Sequence, residues 1–478
     1  MKFQHPIAIV TYTTRKFWLL IIPLLRNLAV NNFDVVRWLG GSIWDILLAA
    51  AILGVALIQY FTVTYEFLPS SVIIKSGFFV RREFEIRYKT ITAVTLKETF
   101  WARPLRAVKL FVDTDSHPAI GTLKSSDLTL VLDRREVSAF KRLFRDGKST
   151  AQKISYKNTK SSLLLFSFFF SEALSGAVYL TVLVFQSGRL ITDTMRTYFS
   201  EILSRATAIL ETVFGGIPVA ATVLAVIALS GWVFTVLSNM FKNSNFTVNR
   251  RGRFITIRTG IFSRWTYMIN SDYVNYADFR QNLPSSIFGL YSLHIGCTGY
   301  GKQEIPLVIP IAEKNERELL LQMFFPQFSH FSSKKITQNV PKPNWARFII
   351  PPIIFILIPT AAIILTRIFT VKFSGLFLFL SVMALIPACV FFIVSFFEYK
   401  IGGKNADGTL LRYRKGFIMH TVVTIKEKIC MIQKRQSLFQ KKHGLCDLTI
   451  STMGEKAVKH KVRSLNTEVR GQKTEVRK

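Results

Sequence analysis

The chain has 478 residues, of which 50% are hydrophobic, and its formal net charge is +33. A soluble protein rarely combines so apolar a composition with so basic a charge, whereas a membrane protein with basic aqueous domains explains both. The charge predicts an anionic partner, either lipid head groups or nucleic acid. Four cysteines without a CxxC pair argue against a disulfide framework and predict free thiols in a reducing compartment.

Apolar runs, taken in chain order, predict helices that enter a membrane. The run 17–30 contains Pro23 and Arg26, so it either forms a marginal first span or lies in the interface. Between 186 and 216, apolar residues recur at helical spacing with charges among them, which predicts an amphipathic helix on the membrane surface. The clear spans are predicted at residues 43–63, 163–185, 217–241, 348–366 and 373–397.

A strand–glycine–strand pattern occurs three times, centred on Gly77, Gly260 and Gly416. β-branched and aromatic residues dominate both arms, and the glycine permits a positive φ at the junction. Such internal repetition decides the fold prediction. Counted from each glycine, position +9 is an isoleucine in every copy: Ile86, Ile269 and Ile425.

Each repeat predicts the centre of a β-rich module, and modules 1 and 2 end in an amphipathic helix. The predicted apolar stripes of these helices are Val137, Phe140 and Phe144 in module 1, and Leu319, Leu320 and Met323 in module 2. The predicted parts are an N-terminal segment with the first membrane hairpin (1–64), module 1 (65–147), the second membrane hairpin with the amphipathic surface helix (161–241), module 2 (245–328), the third membrane hairpin (347–397), module 3 (398–466) and a polar tail (467–478).

The early His5-Pro6, the paired apolar runs and the three modules resemble the membrane-flanked-domain (YdbT-like) family of bacterial PH-like membrane proteins. The resemblance covers nearly the whole chain. It implies a PH-like β-barrel or sandwich closed by a C-terminal helix, with no established enzymatic activity. Some members are linked to resistance against membrane-active antimicrobial peptides, which suggests a role in envelope defence. The sequence departs from the family in module 1, where Leu105-Arg106 stands at the position of Gly289 and Gly444, and in module 3, which lacks the final helix.

Repeats and apolar runs together predict the fold class. It is an α-helical multi-pass membrane protein, with about five to six spans in hairpins, carrying three β-rich PH-like cytoplasmic modules. The positive-inside rule places the protein in the cell membrane with the modules and both termini cytoplasmic. Of the 62 Lys and Arg residues, the proposed opposite-side connections hold only Arg26, Arg37, Arg189, Arg196, Arg205, Arg367 and Lys372.

Basic residues at positions −2 and +4 from each glycine are the candidate binding residues. If the glycine lies in a turn, these positions fall on adjacent antiparallel strands and can be close neighbours. Pairs of cations there could hold a phosphate or an acidic peptide, although an exposed strand face kept basic for solubility is an equally good interpretation. The candidates are Lys75, Arg81, Arg258, Arg264 and Arg414.

Two acidic features are candidate functional sites. Glu172 lies inside the run 163–185, where an acid is costly and is a functional candidate; the alternative is an acid that faces a neighbouring helix or is protonated near the interface. Asp113 and Asp115 form a DxD that could bind a divalent metal, but a solvated turn is the favoured interpretation. The histidines are scattered and no nucleotide-binding or nucleophile motif is present, so no catalytic residue, metal or cofactor is predicted.

The leading hypothesis is a non-enzymatic integral membrane protein. Its three modules would bind either anionic phospholipid head groups or another membrane protein. One alternative is a transporter or exporter component with Glu172 in its path, and another is a membrane-bound enzyme acting on lipid-linked substrates. Nucleic acid is not an expected partner, because the basic residues lie close to predicted membrane segments and no nucleic-acid motif occurs.

Overall fold

The described part of the chain is rich in strands, which form four sheets, as the β-branched and aromatic repeats predict. The computed structural model describes residues 1–14, 43–78, 80–115, 126–144, 153–170, 201, 204–205, 208, 219–297, 307–332, 336, 338–339, 345–368, 374–405, 407–453 and 458–466. Contacts divide the chain into two units. The first consists of Met1–Tyr156, Asn245–Tyr273 and Thr298–Gln303, and the second of Lys157–Ser244, Val274–Cys297 and Glu304–Lys478.

The described residues of the first unit form two antiparallel sheets and three helices. The sheet orders are β1-β2-β3-β4 and β7-β6-β5-β11-β10-β9-β8. The strands are β1 (Lys2–Phe3), β2 (Thr64–Phe67), β3 (Ser71–Ser76), β4 (Arg82–Arg87), β5 (Ile91–Glu98), β6 (Ala107–Thr114), β7 (Leu128–Asp133), β8 (Lys153–Lys157), β9 (Thr247–Arg251), β10 (Phe254–Thr259) and β11 (Arg264–Asn270). The helices are α1 (7–14), α2 (Ile43–Thr62) and α3 (Arg134–Phe144).

The core of the first unit lies between its two sheets. Tyr65 and Ile74 from the smaller sheet belong to one buried cluster with Leu110 and Leu130 of the larger sheet. Helix α3 closes this cluster with its predicted stripe, Val137, Phe140 and Phe144, all of which are buried. The amphipathic helix of module 1 is therefore confirmed.

The described residues of the second unit also form two sheets, ordered β14-β13-β12-β18-β17-β16-β15 and β19-β20-β21. The strands are β12 (Val274–Gln281), β13 (Leu290–Cys297), β14 (Leu307–Glu313), β15 (Gln338–Asn339), β16 (Gly403–Lys404), β17 (Leu410–Lys415), β18 (Ile418–Thr424), β19 (Ile429–Arg435), β20 (Leu445–Thr452) and β21 (Val458–Asn466). The helices are α4 (Lys160–Phe169), α5 (Val219–Asn243), α6 (Leu283–Ile287), α7 (Arg317–Phe324), α8 (Pro326–Ser332), α9 (Ala346–Ile368), α10 (Ser374–Ile401) and α11 (Leu438–Lys442).

Helix α7 of module 2 buries a different face from the predicted one. Its buried residues are Leu320, Leu321 and Phe324, whereas Leu319 is 56% exposed. The predicted stripe is therefore confirmed for Leu320 and wrong for Leu319, while Met323 is half-buried.

Consecutive repeats share sheets. Strand β11 of the second glycine hairpin pairs with β5 of module 1, and β18 of the third hairpin pairs with β12 of module 2. The second repeat therefore contributes β9–β11 to the first unit and β12–β14 to the second. The domain boundaries given above stay predictions.

The chain segments between β1 and β2, between β8 and β9, and between β15 and β16 are called helical inserts here. Each insert begins and ends at neighbouring strands of one sheet. Strand β1 pairs with β2, β8 lies beside β9, and β15 pairs with β16. The strand before each insert is thus bonded to the strand after it.

The predicted fold class, an α-helical multi-pass membrane protein, is wrong. Within the described ranges the chain is β-rich, with four sheets, and only α9 is a helix long and apolar enough to cross a membrane. The run 17–30 and most of 163–185 lie outside the described residues. Hydropathy misled the prediction because it does not separate a helix in lipid from one that packs on protein. The end of α10 contacts β17 and β18, and Glu398 in that turn is buried.

Candidate functional site

The three glycine hairpins differ in the length of their tips, which we define as residues 77–81, 260–264 and 416–417. The tips join the last paired positions, which are Ser76 with Arg82, Thr259 with Trp265, and Lys415 with Ile418. The third tip is therefore three residues shorter. As a result Val422, not Ile425, faces Leu411 in the way that Ile269 faces Ile255, and the predicted +9 register is wrong for module 3.

Glycine is required where each tip begins. Gly77, Gly260 and Gly416 have φ values of 111°, 94° and 64°, which confirms the predicted positive φ. A Cβ atom at Gly77 would also collide with the carbonyl of Val80. Arg106 adopts a φ of 55° at the point where modules 2 and 3 have Gly289 and Gly444, so module 1 keeps this backbone conformation without a glycine.

Large apolar side chains project from all three tips, and the sequence reasoning above missed them. The signal was present, because each repeat places aromatic or aliphatic residues directly after its glycine. Their exposed fractions are 62% for Phe78, 65% for Val80, 40% for Ile261, 55% for Phe262 and 48% for Phe417. Exposed apolar groups that recur at equivalent positions indicate an interaction surface.

The first tip lies between two of the predicted cations. Lys75 Nζ is 2.9 Å from the carboxylate of Glu83, and both side chains are about half exposed, so the pair contributes little stability. Arg81 is exposed within the tip itself. Residues Gly77 and Phe78 line a cavity of about 1320 Å³ together with Val55 and other residues of α2.

The second tip has a similar arrangement. Arg258 is exposed opposite Thr266, and Arg264 is exposed opposite Glu98 of β5. The guanidinium of Arg103 donates hydrogen bonds to the carbonyls of Ile261 and Phe262, which holds the tip in place. The cations at −2 and +4 are therefore not directly opposite each other; they flank an apolar tip.

The third tip differs because its cation is buried. Arg414 Nε lies 2.7 Å from the carboxylate of Glu398 in α10, and their side chains are only 7% and 3% exposed. The guanidinium also stacks 4.7 Å from the ring of Phe391 and donates to the carbonyl of Gly416. Phe417 contacts the same Phe391 ring. Arg414 thus fastens the third hairpin to α10 and is not open to an external anion.

A second ion pair fastens the start of α9 to module 3. Arg347 makes two parallel hydrogen bonds of 2.9 Å to the carboxylate of Asp447 in β20. Burial would raise the pKa of Asp447, but hydrogen bonds from Gln440 and the Ser464 backbone, with Arg347, hold it below its usual value. Bidentate geometry makes this a strong contact.

Module 3 and the end of module 2 enclose a buried polar network that the sequence did not reveal. Asp278 on β12 accepts hydrogen bonds from Arg280 at 2.8 Å and from His420 at 2.9 Å. Burial alone would raise the pKa of Asp278, but His420 and Arg280 outweigh it and hold the pKa well below its usual range. His294 sits directly across from Asp278, and burial lowers its pKa.

The network continues through His460 on β21. Its Nδ1 is 2.8 Å from the hydroxyl of Tyr413, and its Nε2 is 2.8 Å from the hydroxyl of Thr452. Burial lowers the pKa of His460 to about 4, so the ring is neutral near pH 7. A neutral imidazole has one donor and one acceptor, which matches two hydroxyl partners. The network joins both sheets of the second unit.

The acidic candidates have different outcomes. Glu172 lies outside the described residues. Asp113 lies within β6 and is 1% exposed, so the interpretation of the DxD as a solvated turn is wrong for Asp113, although Asp115 is exposed. In the described ranges no group of three or more His, Cys, Asp or Glu side chains is arranged to hold a metal ion.

Comparisons with known proteins agree with the repeated architecture. The Bacterial PH domain family matches three times, over residues 19–148, 205–322 and 353–470. The UPF0699 transmembrane protein YdbT of Bacillus subtilis (strain 168) is 21% identical over 242 residues, which are 46% of this chain and 43% of that protein. The chain thus matches less than half of that relative's length. No solved structure matches significantly. Because the three family matches cover most of its length, the chain belongs to the Bacterial PH domain family.

Proposed function

We propose that this chain is a membrane protein that works as a non-enzymatic binding platform, with its first two hairpin tips in contact with an anionic lipid surface. The observation that carries the proposal is the repeated tip chemistry. In two successive repeats an exposed phenylalanine stands between two basic residues: Phe78 between half-exposed Lys75 and exposed Arg81, and Phe262 between exposed Arg258 and Arg264. Apolar groups that enter the acyl boundary beside cations that meet head groups are the usual means of interfacial binding.

Helix α9 supports the membrane assignment. It has a mean hydropathy of 2.6 over its most apolar window, and only 17% of that window is buried in the protein. A core helix of a soluble protein would be largely buried, whereas Phe355, Ile358 and Leu365 are each more than half exposed. The relative YdbT carries the name transmembrane protein. Helix α9 is therefore the segment we assign to the bilayer.

Lipid contact at the tips can be measured in vesicles that contain the full chain. A fluorophore on Phe78→Cys or Phe262→Cys, in a Cys389→Ser, Cys430→Ser background, should be quenched by nitroxide-bearing lipids. The same fluorophore on Ser138→Cys of α3, which is exposed but far from a tip in sequence, should remain bright. Equal brightness at all three positions would overturn the proposal.

The role of charge needs its own variants. Each cation near an anionic surface contributes about 1 kcal/mol, which is about a fivefold change in affinity. Arg81→Gln, Arg258→Gln and Arg264→Gln should therefore weaken quenching at the tips in anionic vesicles and leave it unchanged in neutral ones. Arg134→Gln with Arg135→Gln on α3 is the matched control. Quenching that depends neither on the charge of the lipid nor on the salt concentration would indicate a protein partner instead.

We further propose that the modules face the cytoplasm. The net charge of +33 supports this orientation, because basic segments are favoured on the cytoplasmic side of a membrane. Single cysteines at Ser138 and His443, one in each unit and both exposed, should react with an impermeant maleimide only after cells are broken. Labelling of either position in intact cells would contradict this orientation.

A further inference from the structure

Each repeat pairs one strand with the next repeat, so the first and the last repeat each keep one strand that ends its sheet in the described structure. Strands β5, β12 and β19 occupy equivalent places, since Leu96, Phe279 and Lys434 face Leu110, Leu293 and Leu448 in their hairpins. Strands β4, β11 and β18 are likewise the second strands of the glycine hairpins. In the described structure β5 is covered by β11 and β12 by β18. Strands β4 and β19 each end a sheet there.

The strands that pair with another repeat are more buried than the equivalent strands that end a sheet. Six of the eight residues in β5 and in β12 are buried, whereas β19 has one half-buried residue followed by six exposed ones. Strand β11 has four buried residues of seven, while β4 has one of six. Met431 and Ile432 on β19 are 48% and 56% exposed. An exposed apolar strand edge is a template for pairing with another strand.

We propose that β19 of one copy pairs antiparallel with β4 of a second copy, repeating between chains the contact that β5–β11 and β12–β18 make within one. The interface joins two different surfaces, so it produces a head-to-tail row or ring and not a two-fold dimer. The contact adds a strand to each sheet through main-chain hydrogen bonds. It rests on the strand order and does not depend on the membrane proposal.

Charge fits this pairing. Transferring the register of β5–β11, in which Leu96 faces Thr266, places Lys434 opposite Glu83. Transferring that of β12–β18, in which Phe279 faces Thr421, places Lys434 opposite Glu85. Both registers oppose a lysine to a glutamate, a favourable cross-strand pair. Glu83 already contacts Lys75, so Lys434 would join an existing ion pair in the first register.

Disulfide trapping in membranes tests the contact on the full chain. Every variant carries Cys389→Ser and Cys430→Ser, which removes the two exposed thiols and leaves the buried Cys297 and Cys446. A Lys434→Cys copy mixed with a Glu83→Cys or Glu85→Cys copy should yield a cross-linked dimer on oxidation. Neither copy should cross-link alone. Phe84→Cys is the matched control, since its side chain points to the opposite face.

Charge exchange gives a second measurement. Lys434→Glu should reduce cross-linking between copies of the native chain at least several-fold when the bifunctional reagent does not react with amines. Glu83→Lys with Glu85→Lys should restore this cross-linking. Monomers in all mixtures would overturn the proposal, because Lys434 would then be a charge that keeps the edge unpaired. A dimer from Lys434→Cys alone, or trapping of a different protein, would overturn the head-to-tail arrangement.

Discussion

Replacing Glu398 with glutamine should destabilise the second unit by about 3–5 kcal/mol, the usual cost of breaking a buried ion pair. Arg414 is only 7% exposed and its Nε lies 2.7 Å from Glu398, so the variant would leave a guanidinium buried without its carboxylate. Thermal unfolding of the purified full chain in detergent, followed through a label on module 3, measures the loss. The tip residue Phe417 should become more mobile at the same time.

Two matched variants distinguish the stability lost by leaving a charge buried without its partner from the stability lost with the contact itself. Glu83→Gln breaks the exposed Lys75–Glu83 pair and should cost less than about 1 kcal/mol. Glu398→Leu with Arg414→Met removes both charges and should recover most of the stability lost in Glu398→Gln, because no unpaired ion remains. A double variant as unstable as the single one would show that the hydrogen bond to Gly416, not charge burial, dominates this site.

Two ion pairs link helices α9 and α10 to module 3. Arg347 ties the start of α9 to β20, and Arg414 ties the end of α10 to β17. Helices α9 and α10 also pack along each other, as the contact of Phe355 with Phe391 shows. A shift of α9 would therefore act on the sheet that contains β20, and a shift of α10 on the sheet that contains β17, each through a short, charged contact.

Local chemistry explains what the sequence could predict. The positive φ of Gly77, Gly260 and Gly416 and the buried stripe of α3 follow from steric limits and helical spacing. The repeats also identified the family, because three copies of one pattern survive in sequence even where single residues do not. These features involve residues that are close in the chain.

Long-range contacts explain what the sequence could not predict. Asp278 meets His420 across 142 positions, and Arg347 meets Asp447 across 100. The exchange of β11 and β18 between repeats has no local signature either, since β-pairing partners are chosen by edges and registers. The basic residue Arg414 is equivalent to Lys75 and Arg258 by spacing, yet Glu398 and Phe391 of α10 cover it, and these contacts lie far from it in the repeat pattern.

Lowering the pH from 7 to 4 should destabilise the second unit well before its carboxylates titrate. His460 is neutral in the fold because burial lowers its pKa to about 4, while an unfolded histidine has a pKa of about 6.5. The unfolded chain therefore binds the proton first, and stability that is full above the unfolded pKa is lost as pH falls toward 4. The difference between the folded and unfolded pKa of His460 corresponds to a loss on the order of 3 kcal/mol.

His294 adds to the same window, because burial also lowers its pKa well below the usual value. Asp278 acts only in stronger acid, because its folded pKa is lowered. The stability that it contributes is present above the unfolded pKa of about 3.9 and is lost as the pH falls below that value. The unfolding temperature of the full chain should thus fall steeply between pH 6.5 and pH 4. His460→Gln should be less stable at pH 7 but flatter across this range, because it removes the proton-binding group. His443→Gln, at an exposed position of the same module, should follow the parent curve. A His460→Gln curve parallel to the parent would assign the acid sensitivity to other groups.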